Sequence, residues 1–340
     1  MNIQQDEGNM KVNVLGSTHH RVSPIGIGLA ALGRPGYINI GHVDDLESNY
    51  DVAAMEARAH AVLDAAYESG VRYFDAARSY GRAEEFLGSW LRKRGLSADS
   101  IVVGSKWGYT YTADWQIDAQ VHEVKEHSQT VLQRQWCESQ SNLGLYLDLY
   151  QIHSATIESG VLENNKVLAE LARMKSEGIT IGLSVSGSRQ REVIKQSLKL
   201  KVDGVRLFDC VQATWNLLET AAGGALAKAS DRGMGVIIKE ALANGRLTDR
   251  NRQSAFAPKL EILKREAQRL RTTVDGISLA AVLAQPWVDV VLSGTATKDH
   301  LQSNLRAADV IWDDEAAWEL NALSEPKEAY WQARSGLRWN

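Results

Sequence analysis

The sequence predicts an α/β fold, a (β/α)8 TIM barrel with an N-terminal β-hairpin cap and a C-terminal tail over the barrel, and three observations carry that prediction. Apolar runs of strand length alternate with helix-like stretches to give about eight βα units along 340 residues. Polar residues stand at or just past the ends of several runs, and a parallel barrel brings strand C-termini together on one face. No linker, low-complexity tract or residue-level repeat interrupts the array, so residues 1–340 read as one barrel domain.

Taken in order, residues 12–15 and 21–23 flank the turn-rich Gly16-Ser17-Thr18 and predict a hairpin placed across the bottom of the barrel. After Pro24 comes a strand over 25–29, then a loop containing Gly and Pro. An amphipathic helix over 52–69 stops at Gly70, which reads as its C-cap. A strand at 72–74, a helix at 83–93, a strand at 101–105 and a long helix at 121–142 follow. Strands at 147–152, 180–183, 205–211, 236–238 and 288–292 complete the set.

One motif misleads. Gly26-Ile27-Gly28-Leu29-Ala30-Ala31 fits the G-x-G-x-x-A dinucleotide fingerprint, with Asp44 and Asp45 downstream. That fingerprint must open a helix, yet Gly33, Pro35 and Gly36 fall in the next turn, where they break one. The segment therefore reads as a strand entering the barrel.

Composition narrows the function. With 44% hydrophobic and 24% charged residues the chain can bury a large core. A net charge of -4 and a pI near 6.1 provide no basic field for nucleic acid, and no polybasic stretch points to a membrane surface. The longest apolar runs are far short of a membrane span. Cys137 and Cys210 are the only cysteines, and the polar segment 1–10 has no apolar signal region, so a reducing, cytoplasmic setting is expected. His19-His20 and the other histidines lack metal-ligand spacing, and no metal is expected. Nothing in the sequence sets the oligomeric state.

The chemistry-bearing residues are Asp75 after Val71-Arg72-Tyr73-Phe74, Tyr80 five residues on, Lys106 after Ile101-Val102-Val103-Gly104-Ser105, and His153 after Leu147-Asp148-Leu149-Tyr150-Gln151-Ile152. Any one of them alone reads as an ordinary core polar group, and Asp75 with Lys106 as a buried ion pair. As an ordered set they resemble the aldo-keto reductase superfamily. The resemblance runs from Leu15-Gly16-Ser17-Thr18 to Ser293-Gly294-Thr295 and Asn304. It is most specific at Phe74-Asp75-Ala76-Ala77-Arg78-Ser79-Tyr80-Gly81, Ser105-Lys106-Trp107-Gly108 and Asp148-Leu149-Tyr150-Gln151-Ile152-His153.

That resemblance implies carbonyl reduction, in which a nicotinamide gives hydride and a general acid gives the proton. It implies Tyr80 as the donor, Lys106 and Asp75 as the groups that tune it, and His153 as the group that orients the carbonyl. A free tyrosine has a pKa of about 10, and a neighbouring ammonium is expected to lower it. The implied cofactor is NADPH, with NADH as the alternative. The implied cofactor contacts are Ser184, Gln212 and Trp215 at the nicotinamide, Gly245 and Arg246 at the pyrophosphate, and Gly294, Thr295, Thr297, Lys298 and Asn304 toward the adenosine. The chain departs from the family pattern at Val185, where the family has asparagine, and at Gly294 and His300, where a cation is common. Trp107 and Tyr109 are expected in an apolar substrate pocket with few polar anchors, together with aromatics of the first loop and the tail. Trp90, Trp136, Trp287 and Trp318 are expected to pack helices on the barrel. The expected function is an NADPH-dependent reductase of aldehydes or ketones, with a small carbonyl compound or sugar as substrate. The alternatives are the reverse sugar or alcohol dehydrogenase, and a non-enzymatic cofactor-binding regulatory subunit.

Overall fold

Eight parallel strands pair in chain order and close into a barrel in the computed structural model, which describes residues 11–340. The segment 1–10, on which the absence of a signal region was read, lies outside the described residues. The strands are β1 (Ile25–Gly28), β2 (Tyr73–Asp75), β3 (Val102–Trp107), β4 (Leu147–Ala155), β5 (Thr180–Val185), β6 (Cys210–Thr214), β7 (Gly235–Lys239) and β8 (Val290–Ser293). Pairing of Ile25 with Val291 joins β1 to β8, and pairing of Gln212 with Ser184 joins β6 to β5. Most strand residues are buried because one face fills the barrel and the other lies under helices.

The helices α1 (Val52–Glu68), α2 (Ala83–Arg94), α3 (Gln129–Leu143), α4 (Asn165–Ser176), α5 (Gln190–Ser197) and α6 (Gly223–Asp231) follow the first six strands. Two helices, α7 (Ala257–Arg269) and α8 (Val274–Leu283), follow β7, and α9 (Lys298–Leu305) follows β8. The extension adds α10 (Asp314–Asn321) and α11 (Lys327–Ser335). α1 shows how sequence sets such an element. Asp51 caps its start by accepting from the Ala54 amide at 2.9 Å, while Met55, Ala59, Val62 and Ala66 form its buried stripe. Gly70, at φ +89°, stops it, and Val71 N donates to Ala66 O at 3.0 Å across the end.

The N-terminal hairpin pairs Asn13–Val14 with Arg21–Val22. Leu15 is wholly buried in one cluster with Tyr73, Cys210, Ile237 and Val290. Gly16 has φ +55°, and a Cβ there would lie 2.2 Å from Gly235 N, so only glycine lets the turn close on the barrel.

Two predicted elements differ. The helix expected over 121–142 begins only at Gln129, capped by Ser128, whose Oγ accepts from Val131 N at 3.2 Å. Upstream, Glu123–Lys125 instead pairs antiparallel with Tyr109–Tyr111. The strand expected over 205–211 is divided. Val205–Arg206 forms a hairpin with Lys201–Val202 around Asp203-Gly204, both at positive φ, and the barrel strand starts at Cys210. Trp318, expected to pack a helix on the barrel, is 76% exposed on α10. No helix among the described residues is long and apolar enough to cross a membrane, and no three His, Cys, Asp or Glu residues among them group as a metal site would.

Candidate active site

β2 ends on Asp75, which is almost wholly buried and receives four side-chain donors. Tyr73 donates to its Oδ1 at 3.2 Å, Gln151 at 3.3 Å and Gln212 at 2.9 Å. On the other oxygen Lys106 makes a short ion pair, and its Nζ also donates to Ala76 O at 2.8 Å. Lys106 is fully buried and lies within β3 rather than past its end, because that strand runs on to Trp107. Its Nζ stands 4.9 Å from the centre of the Tyr80 ring. Tyr80 meets His153 edge to face at 5.4 Å, and Ser79 Oγ lies 3.5 Å from His153 Nδ1. The structure therefore brings Asp75, Tyr80, Lys106 and His153 together, from β2, the loop after it, β3 and β4.

The electrostatics differ from the sequence expectation. Burial pushes the Tyr80 phenol well above its ordinary value, and the Asp75 carboxylate adds to the rise. The ammonium expected to lower it is spent on Asp75 and Ala76 O, and burial pushes Lys106 itself down against the pull of Asp75. Burial, then Lys106 and Lys239, hold His153 well below the ordinary histidine value. The result is a protonated phenol beside an uncharged imidazole at neutral pH.

Tyr80 and His153 open onto a cavity of about 470 Å³ that runs from the barrel mouth past Gly28 and Gly245 to Thr295 and Asn304 at α9. Apolar side chains, among them Ile38, Ile40, Leu242, Leu292 and Trp339, share its wall with several charged groups. Arg34 is almost fully buried, bonded to Ser79 O and Glu123 at 3.0 Å each, with the faces of Tyr37, Tyr80 and Trp339 around its guanidinium. Glu240, after β7 at φ +55°, pairs with Arg334 of α11 through several short bonds. Burial works against that carboxylate, but Arg334 and Lys239 overcome it and bring Glu240 down to about 2. Lys239 donates to Thr214 Oγ1 at 3.0 Å and Ser186 Oγ at 3.3 Å, and burial lowers it to about 8. Across the mouth, Tyr37 and Asn340 exchange backbone hydrogen bonds of 3.0 and 3.1 Å, which ties the tail to the first loop.

The remaining sequence-derived residues divide by position. Gln212, Gly245, Gly294, Thr295 and Asn304 line the cavity. Ser184 is buried just below it and accepts from Ser154 N at 2.8 Å. Trp215 is buried edge to face against Trp287, off the wall. Arg246 turns away to Glu325, bonded at 2.8 and 3.0 Å. Thr297 caps α9 by accepting from His300 N at 3.2 Å, and Lys298 points to solvent. Trp107 is buried against His127 and Tyr109 meets His153 edge-on at 4.9 Å, both off the wall. Sequence reading missed Arg34, Lys239, Glu240 and Arg334. Lys239-Glu240 at the end of an apolar strand carried the same signal as Asp75, whereas Arg34 and Arg334 lie in a loop and a surface-patterned helix and carried none.

Comparison with known proteins identifies the family of the chain. The model of the aldo/keto reductase family matches residues 24–325, and the chain belongs to that family. It is 26% identical to the uncharacterized oxidoreductase YqkF of Bacillus subtilis, with 88% of this chain and 91% of that one covered. It is 25% identical to the aldo-keto reductase str7 of Strobilurus tenacellus, with 90% of each covered. The solved aldo-keto reductase AKR11C1 of Bacillus halodurans superposes with a TM-score of 0.72 at 21% identity, covering 94% of this chain and 97% of that one.

Proposed function

We propose that this protein transfers hydride between a nicotinamide dinucleotide and an aldehyde or ketone, including open-chain sugar carbonyls, with Tyr80 delivering the proton. The observation that supports this most is the buried Asp75–Lys106 pair beneath Tyr80 and His153 at one end of a long cavity. The residues present suit the cofactor. Gln212 gives its amide hydrogen to Asp75, while its Oε1 is buried without a partner on the cavity wall, an acceptor suited to a carboxamide N–H. Gly294 lines the far end, and a Cβ there would meet nothing within 4 Å.

When bound, the nicotinamide supplies or takes the hydride at the carbonyl carbon. The chain's own groups manage the oxygen. His153, held uncharged, donates a hydrogen bond that fixes the carbonyl oxygen next to the Tyr80 hydroxyl. As negative charge builds on that oxygen, Tyr80 passes its proton across and becomes phenolate. Lys106, fixed by Asp75, lies close enough to stabilise the new charge. A raised phenol pKa keeps the donor loaded at neutral pH, and the same groups run in reverse for alcohol oxidation. A non-enzymatic cofactor-binding role makes no use of this arrangement.

Tyr80→Phe tests the reading, because it removes one oxygen and leaves the ring. Carbonyl reduction should fall by roughly 10²–10⁴-fold, the range for a lost general acid, while cofactor affinity stays within about twofold. Retained turnover would overturn the assignment.

A further inference from the structure

We infer that the far end of the cavity selects NADH over NADPH, with Asp45 and Asp275 as the residues that reject a 2′-phosphate. The inference rests on the cofactor reading above and concerns only which form is taken. With a nicotinamide at Tyr80, the same cavity continues past Gly28 and Gly245 to Thr295, Ser303 and Asn304, with room there for the adenosine ribose.

Three carboxylates, Asp45, Asp249 and Asp275, line that end, against a single guanidinium, Arg250. Arg250 is already committed. Its Nη1 donates to Asp45 Oδ2 and Gly41 O at 3.0 Å each, and its Nη2 donates to Asp45 Oδ1 and to His300 Nε2, the latter at 3.1 Å. Four of its five N–H donors are therefore used inside the protein, and its charge is matched by Asp45. His300, accepting from Arg250 at Nε2, carries its proton on Nδ1, which faces Asp45 Oδ1 at 3.7 Å. Asp275 accepts from Ser303 Oγ at 2.6 Å and keeps lone pairs open to the cavity. Lys298, the cation expected to read a phosphate, is exposed and off the wall, and Gly294 holds no charge.

A 2′-phosphate brings about -1.5 to -2 charge and needs donors to hold it. Here it meets the carboxylates of Asp249 and Asp275, which pair with no cation among the described residues, and one guanidinium whose fork is held by Asp45. A ribose 2′-hydroxyl instead donates to a carboxylate, the pairing by which an acidic residue marks the NAD form. The commitment of Arg250 to Asp45 therefore decides the preference.

The test is binding, without turnover. Quenching of tryptophan fluorescence is followed with NADH, NADPH, ADP-ribose and 2′-phospho-ADP-ribose, using the native chain, Asp45→Asn and Asp275→Asn. NADH and ADP-ribose should bind at least roughly tenfold more tightly than their phosphorylated partners, and either substitution should shrink that ratio severalfold. Two sites are varied so that misfolding of one variant leaves the other informative. Equal or tighter binding of NADPH by the native chain would overturn the inference, as would a ratio unmoved by both substitutions. Binding of none of the four ligands would instead overturn the cofactor reading, and this inference with it.

Discussion

Gln212 and Asp75, 137 residues apart in sequence, share a 2.9 Å hydrogen bond inside the barrel mouth that couples the proposed cofactor contact to the catalytic ion pair. The bond fixes the amide so that its oxygen is left unpartnered at the cavity wall. Gln212→Met keeps the side chain's length and removes both functions. Cofactor should bind roughly threefold to thirtyfold more weakly, the span of one or two lost hydrogen bonds. Isothermal titration checks this, and unchanged affinity would remove Gln212 from the cofactor site.

The tail is held by a different pair. Glu240 is 7% exposed and Arg334 27%, so truncating the arginine leaves a carboxylate buried with the Thr214 hydroxyl at 3.1 Å and, as its nearest cation, Lys239 at 3.9 Å. Arg334→Ala should lower stability by about 2–4 kcal/mol, toward the lower part of the range for breaking a buried pair because Arg334 keeps some solvent. The pair also sets an acid response. Glu240 titrates near 4.5 when unfolded and at about 2 when folded, so its contribution is whole above pH 4.5 and is lost as pH falls toward 2. Urea unfolding of native and Arg334→Ala chains at pH 7 and pH 3 should show the gap between them shrinking in acid.

How far the site was legible depends on what each residue's neighbours in sequence reveal. Asp75, Lys106 and His153 stood out because a charged or polar group inside a strand-like apolar run demands a buried partner, and the order of the three supplied one. The barrel itself was legible from the alternation of periods. Strand limits were not: the Asp203-Gly204 turn cut the run 205–211, and pairing of 123–125 with 109–111 overrode a helical pattern. Arg34, Glu123 and Arg334 converge only through loops and the tail, whose positions no local periodicity encodes. Trp215 and Arg246 matched their motif positions, yet neighbours distant in sequence, Trp287 and Glu325, set where their side chains lie. The tuning of Tyr80 was also invisible, since burial, a tertiary property, outweighs the neighbouring ammonium.

Lys239 carries the last prediction. It stands at the end of β7 on the cavity wall, and burial lowers it from 10.5 to about 8, while its nearest carboxylate, on Glu240, is 3.9 Å away. The sign follows from proton counting. Between about pH 8 and 10.5 the unfolded chain binds more protons at this residue than the folded one, so stability rises with pH across that window. Below pH 8 the full cost of burying the ammonium is present. Lys239→Met keeps the volume and removes the charge, so it should be more stable than the native chain at pH 7, by about 1–3 kcal/mol. That advantage should fade as pH approaches 10.5, where the native amine is neutral in both states. Unfolding curves at pH 7 and pH 10 decide the matter: a variant less stable at pH 7 would mean that the bonds to Thr214 and Ser186 outweigh the desolvation of the charge.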